Sequence, residues 1–151
     1  VEQSKRYLDE TILSEVSSYP DTEFILVLPP YSRIFFAIEA QYDKPMFRVF
    51  KESIRYLVTM SGQYPNLKLY GWGDHDFPDD IANYKDLFHY SEKINSWMLD
   101  AIEHKEGLLT SGNVEKYLER ISEKGENYDL FELGEKIDNY LTSSAKTMKS
   151  E

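Results

Sequence analysis

Leu8, Ile12, Leu13 and Val16 recur at helical spacing along residues 2–18, and Pro20-Asp21 stops the run, so the pattern predicts an amphipathic helix followed by a turn. Phe24-Ile25-Leu26-Val27-Leu28 is then apolar at every position and ends at Pro29-Pro30. A run that does not alternate predicts a strand inside a parallel sheet, with helices over both faces. A short core helix competes with that reading, against the double proline and the shortness of the run. From Tyr31 to about Lys44 the chain is aromatic without a clear period and reads as irregular. Pro45 then sits where a helix begins, and Phe47, Phe50, Ile54, Leu57 and Val58 follow a 3.6-residue repeat to about Met60, closed near Gly62. From Asn66 to Trp72, Leu67 and Leu69 alternate with Lys68 and Tyr70, which predicts a second strand nearer the sheet edge and exposed on one side. Strand, crossover helix and strand together close as a right-handed parallel unit.

Gly71 to Tyr90 is a long loop of Gly, Asp, Pro and Asn, and ordered loops of that length tend to carry function. Ser91 then caps a helix whose inner face is Ile94, Trp97, Met98, Ala101 and Ile102 and which ends at Gly107. Thr110-Ser111-Gly112-Asn113 opens another, with Val114, Tyr117, Leu118 and Ile121 in register, and a last helix carries Leu130, Phe131, Leu133, Ile137, Tyr140 and Leu141. Residues 142–151 are polar and read as a frayed tail. The expected organisation is an α/β region over 1–106, a helical extension over 107–141, and that tail. Two parallel strands do not satisfy a sheet by themselves, because an edge of the buried strand lacks hydrogen-bond partners. Further strands upstream in a longer protein, another copy of the chain, or covering helices resolve this, and the first is preferred. The chain opens at Val1 rather than Met, so an upstream segment is expected.

Charge narrows the function classes. With 17 Lys+Arg against 27 Asp+Glu, the net charge of −10 repels phosphate backbones and anionic lipid surfaces, which sets nucleic acid aside as a partner. No cysteine is present, so there is no disulfide, thiol nucleophile or zinc–thiolate site, and no cofactor is expected. No apolar run approaches the roughly 20 residues that span a bilayer.

Candidate acid–base chemistry falls to His75, His89 and His104. His104, in Glu103-His104-Lys105, suits a helix C-terminus and a structural role. His75 lies among Asp74, Asp76, Asp79 and Asp80, a set that either binds a divalent ion or is a solvated acidic loop; its spacing matches no ligand motif, and no metal ligand is assigned. His89 follows Asp86 by three residues, at the end of the long loop and just before a helix. One turn of chain lets that carboxylate take the Nδ1 hydrogen and leave Nε2 as a general base, which is two-thirds of a hydrolytic triad. The competing reading is a capping Asp beside a packed His. Ser32 follows the C-terminal end of the first strand, where α/β sites gather, but lacks the glycine flanks of a nucleophile elbow. Tyr31 and Ser32, with Phe35, Phe36 and Tyr42, are candidates to line a substrate groove; core or partner packing is the preferred reading of the aromatic set, and a turn after the two prolines that of Tyr31-Ser32.

The order of an apolar strand ending in Pro29-Pro30, a long helix, a shorter strand over Leu67–Trp72, a loop, and Asp86-x-x-His89 followed by Ser91 and an amphipathic helix resembles the C-terminal half of the SGNH/GDSL hydrolases. The resemblance covers about residues 20–105. It implies a partial flavodoxin-like three-layer fold with a short parallel sheet. It also implies Asp86 as orienting acid and His89 as base for a catalytic serine, in an esterase or O-acyltransferase acting on an ester, including one on a cell-envelope glycan. The family's Gly-Asp-Ser-like block and its Gly and Asn oxyanion donors are not found here, since Ser4, Ser14, Ser17 and Ser18 lie on or at the end of the predicted first helix. The resemblance therefore places the nucleophile in an upstream part of the same polypeptide or in another copy of the chain, leaves homo-oligomer formation open, and favours an exported or envelope location.

Overall fold

The computed structural model describes residues 1–147. The first predicted helix forms as α1 (Glu2–Leu8), a π-helical turn (Asp9–Leu13) and α2 (Ser14–Ser18) without a break, and buries Leu13 and Val16. β1 (Phe24–Leu28) and β2 (Leu67–Gly71) form where predicted and pair in parallel, with Phe24 opposite Leu67 and Leu28 opposite Gly71. Two helices, α3 (Arg33–Tyr42) and α4 (Lys44–Ser61), make the crossover. The stretch read as irregular up to Lys44 is thus largely helical. Ser32 caps α3, which buries Phe36, Ala37 and Ala40, and Asp43 starts α4 by accepting from the Met46 amide at 3.2 Å. α5 (Glu92–Glu103), α6 (Val114–Glu126) and α7 (Leu130–Thr147) complete the chain. Among the described residues no helix is long and apolar enough to cross a membrane. α7 continues past Leu141, where the sequence reading placed the start of a frayed tail; residues 148–151 of that tail lie outside the described residues.

The result is a helix-rich α/β fold built on a two-stranded parallel sheet. Phe36, Ile54, Leu57, Leu69, Tyr117, Leu118 and Ile121 share the main core, so α6 packs within the α/β body and is not an appendage to it. A second cluster, Tyr70 and Trp72 with Ile94, Met98 and Ala101, seats α5 against the opposite face of β2. Leu13, Val16 and Leu67 hold the N-terminal helix.

Burial of the two strands is the reverse of the expectation. β2 is the covered strand: its outer edge pairs with the segment after α5, through Gly71 N–H to Gly107 O at 3.0 Å and Leu109 N–H to Leu69 O at 2.8 Å. β1, read as covered on both faces, leaves Ile25 41% and Val27 38% exposed, and its outer edge has no strand partner among the described residues. Ile25 and Val27 share a face with Lys68 and Tyr70, and α5 reaches only the Tyr70 side of it. Exposed Phe131, Ile137 and Leu141 likewise leave the apolar side of α7 open.

Candidate active site

The segment Tyr84–Tyr90 forms a small clasp over the C-terminal end of β1. Its ends meet in an antiparallel bridge, with Lys85 N–H donating to His89 O at 2.8 Å and Ser91 N–H to Asn83 O at 2.8 Å. Two bonds tie it to the chain leaving β1: Tyr84 Oη donates to Pro30 O at 2.6 Å, and Ser32 N–H to Leu87 O at 3.1 Å. Burial pushes the Tyr84 hydroxyl well above its ordinary range, so it stays protonated and keeps donating. The Phe88 ring packs 5.3 Å from Tyr31, edge to face, and 5.3 Å from Phe35, which anchors the residue beside His89.

Inside the clasp Asp86 and His89 pair as their spacing predicts. Asp86 Oδ1 accepts from the backbone N–H groups of Phe88 and His89, both at 2.9 Å, and Oδ2 lies 2.7 Å from His89 Nδ1. The amides fix the carboxylate, and the carboxylate fixes the ring. An acceptor-only carboxylate requires Nδ1 to carry the hydrogen, which leaves the Nε2 lone pair as the basic site. Nε2 has no hydrogen-bond partner among the described residues, and the side chain is 75% exposed. It opens into a hollow of about 390 Å³ lined also by Pro29, Tyr31, Tyr90 and Asn95. The two backbone amides, then the imidazole, hold the Asp86 carboxyl down to about 2 from an ordinary value near 3.8. Because the folded value lies below the unfolded one, ionised Asp86, held mainly by the two amides, contributes to stability above about pH 4 and loses that contribution as pH falls toward 2. An NMR titration of the Asp86 side-chain carbon is expected to show a midpoint near 2; a midpoint near the ordinary value contradicts the bonding described.

Of the two expected substrate contacts, Tyr31 lines the hollow and Ser32 does not reach it. Ser32 is 1% exposed, and its Oγ accepts from the Phe35 N–H at 3.4 Å as the cap of α3. Ser32 serves in this fold as the cap of α3 and lies outside the hollow beside His89; it borders a separate hollow with Tyr84, Lys85 and Asp86. Asn95, Tyr90 and Pro29 are lining residues that spacing alone did not single out. Nothing local in the sequence marks them, because α5, the loop and β1 converge only in the fold.

The acidic loop is occupied by cations of its own chain. Asp79 pairs with buried Arg33 and, at 2.6 Å, with Lys124; Asp76 meets Lys124 at 2.7 Å; Asp80 accepts from the Ala82 amide at 2.9 Å. Among the described residues no group of three or more His, Asp or Glu is placed to hold a metal ion. His104 closes α5 with Nδ1 2.8 Å from Asp100 O, and that bond, with Glu103 and Glu106 nearby, raises its pKa. Comparisons with protein-family models, with curated proteins and with solved structures find no match to this chain.

Proposed function

We propose that this chain is the C-terminal, base-carrying part of an SGNH-like esterase or O-acyltransferase that acts on an ester, with cell-envelope glycan as the substrate class. The single observation that carries the reading is the Asp86–His89 pair, with Oδ2 2.7 Å from Nδ1 and Nε2 open to solvent beside the end of a parallel strand. The serine comes from outside these residues, in an upstream part of the same polypeptide or in another copy. The open edge of β1 and its exposed Ile25 and Val27 suit continuation of the sheet into a flavodoxin-like three-layer fold. An exported or envelope location goes with that reading.

In the reaction, His89 Nε2 takes the serine proton as Oγ bonds to the acyl carbon, and amides of the other part hold the oxyanion. Asp86 steadies the imidazolium. Nε2 then returns the proton to the departing alkoxide as the ester C–O bond breaks. Water, or an acceptor hydroxyl in a transferase, reverses the sequence and frees the serine. The test is the full-length polypeptide on a panel of activated and glycan acetyl esters. The expected result is acetate release with a stoichiometric burst and labelling by a serine-directed phosphonate; no turnover and no labelling contradicts the proposal.

A non-catalytic assembly module is the second reading, favoured by the exposed apolar residues Phe131, Ile137 and Leu141 on α7. It predicts partner binding that survives loss of His89.

A further inference from the structure

At the edge of β2 away from β1, cations gather against the charge of the chain. Gly71, ending β2, and Gly107 to Leu109, pairing beside it, border a hollow of about 340 Å³. Lys105, Lys116 and Arg120 line it with His75, and Asp74 is the single carboxylate among its lining residues. Asp74 stands 4.0 Å from His75 Nε2. Lys116 and Arg120 lie one turn apart on α6, so their like charges share a helix face, an arrangement that is unfavourable without an anion between them. Arg120 reaches only Asp76, at 3.4 Å, and neither Lys105 nor Lys116 has an ion-pair partner among the described residues. In a chain with 27 acidic side chains, Lys105 and Lys116 are thus left without an ion-pair partner among the described residues, and Arg120 has one long contact.

Backbone geometry adds a second observation. Lys105, at φ 59°, is the one non-glycine residue with positive φ among the described residues, at a helix end where Gly or Asn is usual. Its conformation is imposed from several sides: Lys105 N–H to Ile102 O at 3.0 Å, Glu106 N–H to Ala101 O at 2.8 Å, and Trp72 Nε1–H to Glu106 O at 3.2 Å. These bonds fix Lys105 at the rim of the hollow. The buried Tyr117 hydroxyl borders the hollow, and burial, then the charge of Asp74, push its pKa well up.

We propose that this hollow is an anion-binding site for the carboxylate or phosphate of a small molecule, with Lys105, Lys116 and Arg120 supplying the charged donors. A guanidinium fork and two ammonium groups match an oxyanion, and the hollow of about 340 Å³ has room for a larger body attached to it, such as a sugar. The inference stands apart from the Asp86–His89 reading, since binding here is measured without ester turnover.

The test titrates the isotopically labelled chain at constant ionic strength with glucuronate, glucose 6-phosphate or glucose. The amides of Lys105, Gly107 and Asn113 and the Arg120 Nε–H report binding. Saturable shifts with at least one anionic sugar, none with glucose, and at least a tenfold loss of affinity in Lys116→Gln/Arg120→Gln support the site. Response to glucuronate alone assigns the carboxylate and response to glucose 6-phosphate alone the phosphate. Shifts that fail to saturate, that glucose reproduces, or that persist at equal affinity in the double variant overturn it. Both substituted side chains are exposed, and an unchanged spectrum elsewhere checks that the variant is folded.

Discussion

On the proposed esterase reading, replacing His89 with alanine in the polypeptide that carries the serine is expected to lower kcat by roughly 10⁴- to 10⁶-fold, with little change in KM. Without Nε2 the serine keeps its proton, and the alkoxide leaves unprotonated. Asp86→Asn should cost less, on the order of 10²- to 10⁴-fold. The amide oxygen of Asn can still accept from the Phe88 and His89 backbone, but its NH₂ would face Nδ1 and favour the tautomer with hydrogen on Nε2. Because His89 is exposed, its removal should leave the melting temperature nearly unchanged, so lost rate cannot be lost fold. Equal rates for wild type and His89→Ala would end the catalytic reading.

Trp72→Ala is expected to lower stability by about 3–5 kcal/mol, measured as a shift of the urea midpoint. Trp72 is wholly buried, stacks 6.1 Å from Tyr70, meets Trp97 edge-on at 5.6 Å, and donates to Glu106 O. It joins β2, α5 and the 104–107 turn, and α5 carries Asn95 to the His89 hollow. Gly107→Ala should injure the same joint from the other side. Gly107 has φ 81°, and a Cβ there would stand 2.1 Å from Trp72 Nε1, with the buried ring unable to yield. A loss below about 1 kcal/mol for Trp72→Ala would contradict this account of the joint.

β2, the long α4 and the helical spacing of α5 and α6 were legible because each follows a local period, and β1 because an unbroken apolar run ends at a double proline. α3 was not: its inward positions are Phe36, Ala37 and Ala40, and two alanines among scattered aromatics give little contrast between faces. The exposure of the strands was inverted because it depends on distant neighbours. Apolar Ile25 and Val27 stand uncovered while Tyr70 is sealed by α5, and β2 gains its second edge partner from residues nearly 40 positions on. The Asp86–His89 pair was legible for the opposite reason, since three residues of chain suffice to join them. Its supports were not, because the bond from Tyr84 to Pro30 spans 54 positions and the packing of Phe88 on Tyr31 and Phe35 bridges two segments. The cap role of Ser32 was not read at all, because the stretch after it was not recognised as a helix.

The most direct test of the account is the ring tautomer of His89, read from long-range ¹H–¹⁵N correlations of its neutral form. The account predicts hydrogen on Nδ1 and a bare Nε2 in the wild-type chain, with the hydrogen moving to Nε2 in Asp86→Ala. A wild-type ring already protonated at Nε2, and indifferent to loss of Asp86, would contradict it.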